Sequence, residues 1–164
     1  MPHVTLPSDL SFIDKAPFTF DNEITVMASP ERVFQIFASG EGQEEWFQDF
    51  VAVTWHNPQP HGVGTTRDVK LKLLSVNERF LVWEPGQRLS FSIDSITLPI
   101  LRQMMEDLQF SPVDGGCLLR WRVYYTPTPL MRMVHPLARM IFGNMFKASL
   151  VGLKAYAEAH PNIR

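Results

Sequence analysis

The sequence predicts an α+β domain: a curved antiparallel sheet of about seven strands, two short helices after the first strand, and one long C-terminal helix. Two observations carry this. Strand-like runs rich in β-branched and aromatic residues follow one another from Phe50 to Tyr125 with only short turns between them, which makes neighbours antiparallel. A single long helical pattern then closes the chain, and no other element is large enough to cover the sheet's apolar face.

The elements follow in order. Residues 1–17 are punctuated by Pro2, Pro7 and Pro17 and read as a tail or a loosely docked arm, which leaves 18–160 as the single domain. Phe18 to Ala28 reads as a strand. Ser29-Pro30-Glu31 starts a helix: serine caps, proline takes the first helical position, and an acid sits in the first turn. Val33, Phe34, Ile36 and Phe37 give that helix an apolar side, and Gly40 and Gly42 end it. A second short helix carries Trp46 and Phe47. Strands are then expected at 51–57, 65–71, 74–83, 88–96, 104–110 and 117–125. Glu84-Pro85-Gly86-Gln87 fits a type II turn, because proline presets the first central residue and glycine supplies positive φ at the second. A turn is expected over 111–116. Pro136 should start a new segment of the closing helix or kink it. Leu137, Ile141, Met145 and Ala148 repeat at helical spacing, with Val134, Ala138 and Phe142 beside them; this wide stripe is expected to face the sheet, with Arg132, Arg139, Lys147 and Lys154 away from its centre.

Composition bounds the rest. The 164 residues suit one domain, and 45% hydrophobic with 20% charged residues excludes a disordered chain. A net charge of −2 argues against a nucleic-acid surface. No apolar run approaches the ~20 residues that span a bilayer, so stable membrane insertion is not expected. The opening MPHVTLPSDLSFIDK lacks a basic stretch followed by an apolar one, so no signal peptide is expected. The single cysteine, Cys117, excludes an internal disulfide and fits a cytoplasmic location.

Strand parity points to a site. Side chains alternate across a strand, so Leu119, Trp121, Val123 and Tyr125 form one set and Leu118, Arg120, Arg122 and Tyr124 the other. The first set should face inward, with Leu89, Phe91 and Ile93. The Pro-Gly turn then pairs Phe91 with Phe80 and Leu89 with Val82, placing Val76 and Glu78 inside. A turn at Lys72-Leu73 brings Arg67 opposite Glu78. The turn at Asp114-Gly115 places Leu108, Phe110 and Glu106 inside. Three charged residues, Arg67, Glu78 and Glu106, therefore land on an otherwise apolar concave face. They must be paired or near water, and they are candidates for contact with a ligand or for catalysis. An ordinary buried ion pair, or a one-residue slip in register, is the alternative.

The stretches ASPERVFQIF, GVGTTRDVKL, NERFLVWEPGQRLSF, EDLQFSPVDGGCLLRWRVYYTP and MFKASLVGLKAYAE resemble the START-related helix-grip superfamily (SRPBCC), especially its polyketide cyclase/dehydrase-like branch. Together they span about Phe18 to Glu158. The resemblance implies a curved sheet gripping a long C-terminal helix, with a hydrophobic cavity between them. Members carry lipids, sterols or polyketides, and some are aromatase/cyclases in which a cavity arginine orients the substrate. By its place in GVGTTR, Arg67 is the nearest match to that arginine. The glycine-rich loop of the plant pathogenesis-related members is missing.

Other chemistries find little footing. Gly62-Val63-Gly64-Thr65-Thr66-Arg67 lacks a third glycine and leads into a strand, so it is not a dinucleotide loop. His56 and His61 flank a Pro-rich turn without metal-ligand spacing, and no metal or cofactor is expected. Cys117 has no evident base, and FASGEG around Ser39 lacks the GxSxG elbow pattern. Three functions remain. The first is binding or transport of a small hydrophobic molecule, lipid or polyketide-like, with Phe80, Phe91, Ile93, Leu108, Trp121, Tyr125, Leu137, Ile141 and Met145 lining the cavity. The second is a cyclase/dehydratase using Arg67 with Glu78 or Glu106. The third is a protein-interaction module.

Overall fold

Among the described residues, 1–162 of this computed structural model, eight strands form one sheet. They are β1 (His3–Val4), β2 (Phe18–Val26), β3 (Phe50–Trp55), β4 (Thr66–Leu71), β5 (Ser75–Glu84), β6 (Arg88–Ile96), β7 (Leu101–Val113) and β8 (Gly116–Pro127). The spatial order is β2-β8-β7-β6-β5-β4-β3, every neighbour antiparallel, with β1 paired to the far end of β6. Helices α1 (Pro30–Ser39) and α2 (Gln43–Trp46) follow β2, and α3 (His135–Ala159) closes the chain after a 3-10 turn, Leu130–Met133.

Local chemistry sets these boundaries. Ser29 Oγ accepts the Arg32 amide hydrogen at 3.2 Å and Pro30 occupies the first turn of α1. The β5–β6 turn closes with Gln87 N donating to Glu84 O at 3.0 Å and Gly86 at φ 71°. The β7–β8 turn is shorter than the sequence suggests. Val113 already pairs with Gly116, so only Asp114 and Gly115 turn, and Ser111-Pro112-Val113 extend β7. Pro136 sits in the first turn of α3, where its missing N–H costs nothing.

The register places Arg67 opposite Glu78 and Phe80 opposite Phe91. One expected pair differs. A bulge between Phe80 and Val82 sets Leu89 against Trp83, and the Trp83 ring packs on Phe80 at 4.8 Å and on Phe34 at 5.9 Å. The main core lies between the concave face, α1, α2 and α3, with Ile36, Leu89, Leu119 and Leu153 fully buried. Arg32 is buried there too. Its guanidinium holds both Glu41 carboxylate oxygens at 2.8 Å, Gln35 Oε1 at 2.7 Å and the His160 carbonyl at 2.7 Å. It ties α1 to the C-terminal end of α3.

The first seventeen residues dock on the convex face. Thr5 and Ser8 are buried, and Phe12 packs with Met105 and Tyr124 in a small second core. Leu6 N donates to Arg102 O at 2.8 Å, and Ser8 N to Ser92 Oγ at 2.9 Å. The middle of the sheet is therefore covered on both sides.

Candidate functional site

A cavity opens between the concave face and α3. It offers about 110 Å³ to the centre of a water-sized sphere, where one such sphere needs roughly 10–15 Å³. Its walls are almost wholly apolar: Ile93, Val123 and Tyr125 from the sheet, and Ala138, Phe142 and Met145 from α3. Lining residues are buried at the Glu78–Glu106 end and half-buried at the other, where Leu74, Ile100 and Met131 form the mouth.

Two carboxyls face the closed end. Glu78 Oε2 accepts from Arg67 Nε at 2.6 Å. Arg67 lies behind Glu78, 1% exposed, with its guanidinium 5.0 Å from the Trp55 ring centre and 5.1 Å from that of Phe80. Glu106 Oε2 accepts from Trp121 Nε1 at 2.7 Å. Burial pushes the Glu106 carboxyl up to about 8, and the nearby Glu78 adds to the rise; the Trp121 hydrogen bond and Arg67 only partly oppose it. Glu106 is thus a neutral acid at pH 7, a hydrogen-bond donor set in a greasy wall beside an ion-paired carboxylate.

The mouth end carries the opposite character. Arg139 Nη1 donates to Tyr125 Oη at 2.9 Å and Nη2 to Thr19 O at 2.8 Å. Its guanidinium lies 4.8 Å from the Phe20 ring centre. His135 Nε2 is 2.9 Å from the same tyrosine oxygen. All three side chains line the cavity.

The structure sorts the sequence candidates. Glu78, Glu106, Ile93, Tyr125 and Met145 line the cavity. Arg67 touches it only through Glu78. Phe80, Phe91, Leu108 and Trp121 belong to the packed core beyond its closed end. Leu137 and Ile141 do not face the sheet: they are 56% and 55% exposed, and Ala148 is exposed as well. The inner stripe is centred on the side expected only as its margin: it runs through Ala138, Phe142, Met145, Ser149 and Leu153. The first half of the helix is apolar on nearly every side, so its spacing does not single out one face. Arg139, expected away from the stripe's centre, lines the cavity because Tyr125 and the Thr19 carbonyl satisfy its donors.

Cys117 is fully buried, and desolvation raises its thiol to about 11, which keeps it protonated and unreactive. Among the described residues no three His, Cys, Asp or Glu side chains gather as metal ligands. No described helix is long and apolar enough to cross a membrane.

A bent sheet around one long helix, with an apolar hollow holding a few polar groups, defines a class of α+β domain built around an internal cavity. Residues 17–158 match the family described as polyketide cyclase / dehydrase and lipid transport, and the chain belongs to it. Uncharacterized proteins of Mycobacterium tuberculosis and Mycobacterium bovis are 34% identical over 113 residues, 68% of this chain and 68% of theirs. A protein of known structure from Thermus thermophilus, TTHA0849, superposes with a TM-score of 0.73 at 16% identity, covering 88% of this chain and 100% of that one. The Zhui aromatase/cyclase of Streptomyces sp. R1128 gives 0.72 at 14% identity, covering 86% and 93%. At these identities the two solved structures share the fold.

Proposed function

We propose that the chain binds a small, neutral, mostly apolar molecule carrying a carbonyl or hydroxyl oxygen, with the protonated Glu106 donating a hydrogen bond to that oxygen. One observation carries the reading: the buried carboxyl of Glu106 faces a mostly apolar cavity with a second acid, Glu78, beside it, a setting that favours its protonated form. Trp121 occupies Oε2, which leaves the hydrogen-bearing oxygen for the ligand. A free carboxylate is a poor fit to the closed end, because the nearest cation, Arg67, is engaged by Glu78 and two acids crowd the space. The test is a titration with a small fluorescent aryl ketone and, separately, a fatty acid of similar length. The ketone should bind at pH 6–7 and lose about tenfold in affinity for each pH unit above the Glu106 titration, as the donor is lost. Glu106→Gln, which keeps an N–H donor, should bind without that pH dependence. Equal binding of ketone by the parent and by Glu106→Leu across the pH range would sink the reading.

A second reading rests on the same pair of carboxyls in different charge states. A dehydratase needs an acid and a base on one substrate. Glu106 would give its proton to a departing hydroxyl. The Glu78 carboxylate would take a proton from the carbon next to a carbonyl, so that water leaves and a carbon–carbon double bond forms. Arg67 would then be a positioning residue behind Glu78 rather than a group on the substrate. Turnover of a β-hydroxy ketone by the parent, lost in Glu78→Gln while ketone binding persists, would separate this reading from simple carriage.

A further inference from the structure

The cavity mouth carries a surface that ligand binding does not use. Three segments form its rim, and each sends one side chain inward and another out to solvent. In the β4–β5 turn Leu74 lines the cavity and Leu73 is 82% exposed. In the β6–β7 connection Ile100 lines it and Leu98 is 40% exposed. In the 3-10 turn Met131 lines it, while Leu130 and Met133 are 72% and 87% exposed. Backbone hydrogen bonds hold the segments side by side: Thr97 N to Ser75 O and Thr128 N to Ile100 O, both at 3.0 Å.

The chain runs from that 3-10 turn directly into α3, where exposed apolar side chains recur. Leu137, Met140 and Ile141 are each more than half exposed. At about 100° per residue they share an arc of roughly 100°, opposite the cavity-lining Phe142. Exposed large apolar side chains gathered on successive segments in this way mark a docking surface.

Charge selects the partner. From Thr126 to Ala157 the chain has no aspartate or glutamate, in a protein whose net charge is −2; of its cations there, Arg139 turns into the cavity and Lys154 pairs with Glu158 at 3.0 Å, which leaves Arg132 and Lys147. Arg132 and Lys147 are exposed beside the patch. At the rim, Lys72 is 69% exposed and meets Asp49 at 3.0 Å. A second copy docked by two-fold symmetry would oppose like charges across this face. An apolar stripe flanked by cations suits a surface that is greasy inside and anionic outside.

We propose that the mouth rim and the outer face of the first half of α3 dock on an anionic lipid bilayer, lying in its interface with the cavity mouth toward the lipid. This stands independently of what the cavity binds, since docking and ligand uptake are measured separately.

The test is co-sedimentation of the full chain with vesicles of phosphatidylcholine containing roughly one-third phosphatidylglycerol. The chain should sediment with them at low salt, bind pure phosphatidylcholine vesicles far more weakly, and be released as salt rises. Arg132→Gln should lower partitioning roughly fivefold. Leu137→Asp with Ile141→Asp should abolish it, and because both positions are exposed, circular dichroism and ketone binding should be unchanged. No sedimentation with anionic vesicles, or sedimentation undiminished in the double aspartate variant, would overturn the proposal. So would a dimer in solution that the aspartates dissociate while vesicle binding is absent, which would assign the face to a second copy.

Discussion

The Arg67 guanidinium and the Glu78 carboxylate meet at 2.6 Å directly across the β4–β5 ladder, with side chains 1% and 8% exposed. A pair this dry resists losing one member far more than losing both. Arg67→Met should destabilise the fold by about 3–5 kcal/mol, because it leaves a carboxylate buried without its partner. Adding Glu78→Leu to that variant should restore most of the loss. Urea unfolding of the two single variants and the double variant reads the cycle, and simple additivity would contradict the pairing.

Glu106 makes stability depend on pH in an unusual direction. Its carboxyl titrates near 8 in the folded chain against an ordinary value of 4.5. Between those values the folded state keeps a proton that the unfolded state has released, so stability falls as pH rises and levels off above about 8. The interval corresponds to at most about 5 kcal/mol. Glu106→Gln should remove this slope. The measurement is the urea midpoint from pH 5 to pH 9, parent minus variant, and a flat difference would show that Glu106 ionises normally.

Ala138 stands half-buried on the cavity wall, one turn into α3. Ala138→Phe should fill the hollow near its mouth and cut ketone affinity by about tenfold or more while leaving the melting temperature within a few degrees. Undiminished binding would mean that the ligand sits elsewhere.

Gly152 lets α3 approach α2. A Cβ there would lie 2.4 Å from the Trp46 carbonyl oxygen, which is backbone and cannot swing aside. Gly152→Ala should therefore destabilise by roughly 1–3 kcal/mol despite its gain in helix propensity. A neutral or stabilising result in thermal unfolding would mean the two helices can separate at little cost.

Much of this was legible in the chain. Two tight turns fix the parity of β4, β5 and β6 and put Arg67 against Glu78, and the Asp114-Gly115 turn fixes that of β7 against β8 and puts Glu106 on the concave side. The bulge at Phe80–Val82 was not legible, because it depends on where the Trp83 ring finds packing. The inner face of α3 was hidden for a different reason. Leu130 to Ile141 is apolar nearly all round, so periodicity cannot choose the inner side; the sheet's own polar groups, Tyr125 and the Thr19 carbonyl, choose it by capturing Arg139. The protonation of Glu106 is likewise a property of its surroundings rather than of its neighbours in sequence.

The amino-terminal arm has a practical consequence. Phe12 roofs Met105 and Tyr124, and Thr5 and Ser8 fill hydrogen-bonding positions along β6 and β7. A trimmed version starting at β2 would bare a sticky seat on the back of the molecule, on the side away from the hollow. Loss of solubility in such a version would speak of that uncovered seat, and any drop in its apparent activity would have to be judged against aggregation before being credited to chemistry.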